Sequence, residues 1–183
     1  MALEDIVKSR RSVRHFRDEQ VSREVLLKLL DLARWAPYAS ECWRFVVVQE
    51  PERKRRLAAA ARQKWLATAP VIIVVGADLA ARPEIAARWD AAKFRDLFPI
   101  QETAAAIQNL MLAAVEAGLG TCWIGSFNEG EVAGIVSFPF AVRPVAMVTL
   151  GYPRDSQPKR TRRPLEEVLF WETFEKETED ALP

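Results

Sequence analysis

The stretch from Pro70 to Asp78, PVIIVVGAD, constrains this chain most strongly. β-Branched residues at odd and even positions alike favour extended backbone and demand cover, so the run is read as a buried strand. Extended back to Ala69 it is still far short of the roughly 20 apolar residues a membrane-spanning helix needs. RFVVVQE (Arg44 to Glu50), GTCWIGS and VAMVTLGYP (Val145 to Pro153) supply three further strands. Helical punctuation fills the intervals. Ser22 caps a helix that runs to Ala33 with Glu24 in its positive first turn, and Pro37 closes that segment. Pro51 opens a helix to about Leu66, and Asn128 caps a short one to Val136. From Glu102 to Ala117, Ile107, Leu110, Met111, Ala114 and Val115 follow the 3.6 period, with Gly118 as the left-handed stop. Ala2 to Lys8 forms a short first helix, SVRHF an extended arm, and Ala80 to Arg95 a weak helix that ends before Pro99. Pro164 opens a last helix, LEEVLFWETF, ahead of a frayed tail. The alternation predicts one domain over residues 1–175, a mixed α/β or α+β sheet of four to five strands covered by helices, with 176–183 as the tail.

Charge narrows the function. The 183 residues carry 26 Lys+Arg against 25 Asp+Glu, a net charge of +1, and no basic-aromatic interleaving, which argues against nucleic-acid binding. Two cysteines and one histidine are too few for a disulfide framework or a soft-ligand zinc site, and any Ser-His or Cys-His pair would depend on His15 between Arg14 and Phe16. MALEDIVKSRR has no apolar secretory core, so a reducing cytoplasm is the expected compartment. Against this neutral background stand two basic clusters, KSRRSVRHFR near the start and KRTRR near the end. Forked arginine donors beside a serine hydroxyl suit a phosphate, and the same residues also read as solvated basic surface. GLGTCWIGSFN sets Gly118, Gly120 and Gly125 around a strand end, either to let a flat ligand approach the backbone or simply as helix-stop and turn glycines. Neither GxGxxG nor GxxxxGK occurs, so Rossmann and P-loop sites lack support.

Taken in order, RRSVRHF, WAPYASECWRFVVV, NLMLAAVEAGLGTCWIGSFN, PVAMVTLGYP and KRTRRPLEEVLFWE resemble the nitroreductase-like family of FMN-dependent oxidoreductases over nearly the whole chain. The resemblance implies a nitroreductase-like α+β fold on a central mixed or antiparallel sheet. It also implies an intertwined homodimer with FMN sites shared at its interface, and two-electron transfer from NADH or NADPH through the flavin to nitroaromatic, quinone or related small-molecule acceptors. With no second nucleotide motif to hold the dinucleotide apart, donor and acceptor are expected to use the same face of the flavin in turn, in ping-pong order. Arg10 and Ser12 match the N-terminal phosphate motif, and Arg160 and Arg162 the C-terminal basic motif that closes on the same phosphate. Arg14 matches the residue facing the pyrimidine edge of the flavin, with Arg11 serving either ring or phosphate, and Lys64 resembles a second ring-edge contact. Trp123, Ile124 and Gly125 match the segment lining one side of the ring, with a backbone N–H near Gly125 toward the hydride-accepting N5. No catalytic side chain and no metal are expected, since the cofactor carries the chemistry.

The sequence departs from the family's APSAxNxQPWxF pattern at WAPYASECWRF: Tyr38 replaces a Ser, the loop is shorter by about two residues, and Glu41 and Cys42 stand where amides are expected. Pro37, Tyr38 and Ala39 are still expected to touch the flavin of the partner subunit, and both cysteines read as small buried thiols. Substrate cover is expected over Pro83 to Phe98. Two alternatives share the fold: a flavin-binding carrier or sensor without turnover, and flavin-dependent dehalogenation or flavin fragmentation.

Overall fold

The computed structural model describes residues 2–82, 84, 92–93, 97–158 and 160–174. Four strands form one antiparallel sheet: β1 (Trp43–Val48), β2 (Val71–Asp78), β3 (Gly120–Ile124) and β4 (Val142–Gly151), in the order β1-β2-β4-β3. β2 and β4 are central, and the β-branched run Val71 to Val75 is wholly buried. One face carries α2 (Arg23–Ala33) and α4 (Phe98–Glu116) over Val71, Ile73, Val75, Val148 and Leu150. The other carries α3 (Pro51–Ala60) and α5 (Glu129–Val136) over Ile72, Val74, Cys122, Ile124 and Met147. The sheet is therefore antiparallel and two-sided, with α1 (Leu3–Ser9) packed beside α4.

Local signals set most boundaries. The Ser22 hydroxyl accepts the Val25 N–H, and Asn128 Oδ1 accepts that of Glu131. Pro51 sits in the first turn of α3, behind Glu50, whose carboxylate accepts the N–H groups of Glu52 and Arg53. Gly118 takes φ 72° after α4. β4 starts earlier than expected, at Val142, and takes in Pro144. Proline has no N–H for the ladder, and the register slips there: Val75 pairs with Ala146 but Gly76 with Pro144, a bulge beside the proline.

Three expectations are corrected. α4 opens four residues before Glu102, with Pro99 inside its first turn; the proline expected to end a preceding helix starts the next one. α3 stops at Ala60, because Arg62 adopts φ 54°, and Lys64–Thr68 forms a separate 3-10 helix. The last helix is absent among the described residues: only Leu165–Glu167 makes a 3-10 turn, and Leu165, Val168 and Trp171 are 67%, 59% and 65% exposed. A helix this short needs an apolar face to pack on, and a single chain offers these residues none. The tail 176–183 and most of Pro83 to Phe98 lie outside the described residues.

Candidate functional site

Between α1 and α2 the chain runs extended along the β3 edge of the sheet. Ser12 bridges Thr121 in parallel, Val13 donates its N–H to the Thr121 carbonyl at 2.8 Å, and Phe16 bridges Pro153. Farther along, Arg17 donates to the Tyr152 carbonyl at 2.9 Å and Arg154 to that of His15 at 3.0 Å. Val13 and Phe16 are buried hooks that hold the arm down. Two glycines make that possible: a Cβ on Gly120 would lie 2.6 Å from Val13 Cγ2, and one on Gly151 2.7 Å from Pro70 and 2.9 Å from the Phe16 ring. Gly120 thus admits the arm rather than a ligand. Gly125 is exposed, with only Trp123 Nε1 near where a Cβ would stand, so the backbone just after β3 lies open to approach.

Several expected site residues converge here. Burial pushes the Cys122 thiol above its ordinary value, while the Arg14 charge, the Ser12 hydroxyl and the Arg10 charge act against that rise. Arg10, Ser12 and Arg14 are therefore gathered around one residue of β3. The Arg14 guanidinium stands 5.8 Å from the Trp65 ring centroid, a contact that fixes the cation without neutralising it. Arg11 turns to the backbone instead: its guanidinium donates to the carbonyls of Lys8, Arg10 and Pro158. Pro158 lies two residues before Arg160, so Arg11 fastens the C-terminal basic stretch to the arm.

Charge pairing distinguishes these arginines from some of the others, though Arg23, Arg56 and Arg154, for instance, are likewise without a carboxylate among the described residues. Arg34, Arg44, Arg55, Arg82 and Arg143 each hold a carboxylate at 2.5–3.0 Å. Among the described residues Arg10, Arg14, Arg160 and Arg162 hold none; the Arg162 side chain reaches only the Thr161 carbonyl. Arg10 and Arg14, uncompensated forked donors near the Ser12 hydroxyl, have the chemistry for a phosphate dianion, and the open backbone after β3 suits a flat ring.

The remaining expected residues fall elsewhere. Ile124 is 3% exposed and points into the core, so only its backbone can line a ligand, whereas Trp123 is 39% exposed. Lys64 precedes Trp65 but opens on a hollow shared with Arg55 and Arg62. Pro37, Tyr38 and Ala39 line a depression with Phe98, Gln101, Glu102 and Ala105. They lead into β1, three strand spacings or about 14 Å across the sheet from β3, on whose outer side the arm runs. That loop is held by Glu102, which sequence reading passed over: its buried carboxylate accepts the Ala39 N–H at 2.8 Å, the Ser40 N–H at 3.0 Å and the Ser40 hydroxyl at 3.0 Å. An acid among the alanines of a buried helix face was the available signal. Trp65, Arg14's partner, carried no comparable signal. Both cysteines are free and buried, as expected.

The nitroreductase family profile matches residues 7–67 and 58–152. An NADH dehydrogenase of Thermus thermophilus is 30% identical, over 88% of this chain and 92% of its own. An FMN reductase of Bacillus subtilis is 29% identical over 94% of this chain and 75% of its own. The solved structure of NfrA2 from B. megaterium superposes with a TM-score of 0.86 at 27% identity, covering 97% of this chain and 77% of that one. With the profile spanning the arm, all four strands and the Pro37–Ala39 loop, the chain belongs to the nitroreductase family.

Proposed function

We propose that this chain is an FMN-dependent oxidoreductase that takes electrons from NADH or NADPH and delivers them to nitroaromatic, quinone or related acceptors. The observation that carries this reading is that Arg10 and Arg14, near Ser12, hold no carboxylate among the described residues. Arg10, Ser12, Arg160 and Arg162 hold the FMN phosphate, Arg14 faces the pyrimidine edge of the ring, and the backbone of Trp123, Ile124 and Gly125 lines one side of it. Lys64, which opens on the hollow shared with Arg55 and Arg62, is not assigned to the ring. Arg11 serves by tying the two basic stretches together. When bound, the flavin supplies the two-electron chemistry. The chain's own part is to hold the ring in a field of fixed positive charge and to shield one side of it.

Pro37, Tyr38 and Ala39 contact the flavin held by the partner subunit, because the sheet separates them from the arm of their own chain. The enzyme is thus a homodimer with shared sites, and the exposed Leu165, Val168, Leu169 and Trp171 are covered in it. Light scattering at low micromolar concentration should give twice the chain mass of 20.7 kDa. Among the described residues no helix is long and apolar enough to cross a membrane; the cytoplasm is the proposed compartment.

The visible spectrum of protein purified without added cofactor tests the function. A flavin spectrum bleached by NAD(P)H without air and restored by a quinone is expected, with FMN identified by mass after heat release. A flavin reduced by NAD(P)H but not reoxidised by any acceptor would leave a carrier instead. FAD, or no flavin after incubation with FMN, would overturn the reading.

A further inference from the structure

Arg62 occupies the left-handed region at φ 54°, where glycine or asparagine is the ordinary choice. The turn that holds it there is completely bonded: Arg62 donates its N–H to the Ala59 carbonyl at 2.9 Å, Gln63 to that of Ala58 at 3.0 Å, and Asn128 to that of Ala60 at 3.0 Å. Backbone donors therefore satisfy the end of α3, and the Arg62 side chain is not needed to cap it. The side chain is exposed and, among the described residues, has no carboxylate partner.

Arg62 is also where two adjoining cavities meet. One, of about 320 Å3, runs from Ala59–Arg62 to Ser126, Phe127 and Asn128, directly after Gly125, with Glu131 on its α5 wall. The other, of about 520 Å3, continues from Arg62 over a floor of Ala58, Ala59 and Ala67 to Lys64 and Arg55. Arg55 is already paired with Glu52, which leaves Arg62 and Lys64 as its open cations. The trough so formed carries Arg62 and Lys64 as its unpaired cations, with Glu131 on one wall, and begins one residue from the backbone assigned to the ring.

We infer that this trough seats the phosphate-bearing end of the electron donor, with Arg62 gripping a 2′-phosphomonoester, so that the donor is NADPH rather than NADH. The inference rests on the oxidoreductase reading above and adds to it the choice of donor. A guanidinium fork suits a terminal phosphate that carries nearly two charges, and NADH has a neutral hydroxyl at that position.

The test uses the flavin-loaded enzyme and Arg62→Gly, which accepts the same φ while removing the charge, with Arg62→Lys as the charge-retaining control. The wild type should use NADPH at least tenfold better than NADH in kcat/KM. Arg62→Gly should lose about tenfold with NADPH through KM while kcat, flavin content and the NADH values stay within about twofold, and Arg62→Lys should recover part of the loss. Calorimetry supplies a readout apart from turnover: 2′,5′-ADP should bind the wild type about tenfold tighter than 5′-ADP and lose that margin in Arg62→Gly. Equal use of NADH and NADPH by the wild type, equal loss with both donors in the variant, or equal affinity for the two nucleotides would each overturn the assignment. A protein that takes up no flavin would instead overturn the oxidoreductase reading on which it rests.

Discussion

The two edges of the sheet handle charge in opposite ways. At the β1 edge a carboxylate is buried and closed: Glu102 accepts two N–H groups and a hydroxyl from the Ala39–Ser40 turn, and no cation is needed. At the β3 edge Arg10 and Arg14 gather near Ser12 and, among the described residues, no acid answers them. A charge whose bonds are complete inside the chain builds architecture. One whose bonds are open awaits a ligand, since clustered like charges raise the energy of the empty site and lower it only when an anion arrives.

Removing open charge should therefore cost binding, and removing closed charge should cost stability. The largest effect is expected for Arg10→Ala combined with Arg160→Ala. With about 1.5–3 kcal/mol per charged hydrogen bond, FMN affinity should fall by roughly 10²–10⁴-fold while riboflavin affinity barely moves. Flavin fluorescence titration measures both, and an FMN loss below about tenfold would remove the clamp. Glu102→Ala should invert the pattern, lowering unfolding free energy by about 3 kcal/mol in a denaturant titration, because its three donors lose their acceptor. Its effect on FMN affinity should be far smaller than that of the arginine pair, and the reverse order would break the comparison.

Gly120→Ala probes the arm itself. The new methyl would meet Val13 Cγ2 at 2.6 Å, and overpacking of that kind costs about 1–3 kcal/mol. Because the arm carries Ser12 and Arg14, this variant should lose both stability and FMN affinity, a combination that neither edge shows alone. The effect confined to the narrowest conditions, alkaline pH, is at Cys42, whose thiol is pushed up from 9.0 to about 12, chiefly by burial, with the Glu102 carboxylate adding to the rise against a hydrogen bond from Ser40. The fold favours the neutral thiol, so this contribution is intact below pH 9 and is lost as pH climbs toward 12. Denaturation midpoints should decline from pH 9 to 11, and less steeply in Cys42→Ala; identical slopes would remove Cys42 as the cause.

How much of this was legible in the sequence depended on whether the deciding interaction was local. The Ser22 and Asn128 caps, Pro51 at the head of α3 and the buried Val71–Val75 run were legible because each rests on its own side chain and near neighbours. Pro99 was misread because a proline stops one helix and starts another with equal ease, and only packing decides. Leu165, Val168 and Leu169 keep helical spacing without a helix, since spacing marks a face and not the surface that covers it. In the site, the arginines and Ser12 were legible as a motif. Glu102 was hidden by its separation of more than 60 residues from the turn it holds, and Arg11's role by the 147 residues between it and Pro158.

The arm's attachments also set an order of events. Its Arg17 side chain reaches Pro153 across 136 residues and Arg11 reaches Pro158 across 147, so each bond closes a loop spanning most of the chain. Segments held only by such distant closures dock after the sheet they lean on and come away before it melts. On the proposed site, cofactor release and arm detachment would be one excursion, with the phosphate as the latch. Amide exchange at Val13 and Arg17 should slow on FMN addition in step with ligand occupancy, while exchange in β2 keeps the pace of global unfolding. Protection that rose equally in β2 would mean the latch closes the whole domain.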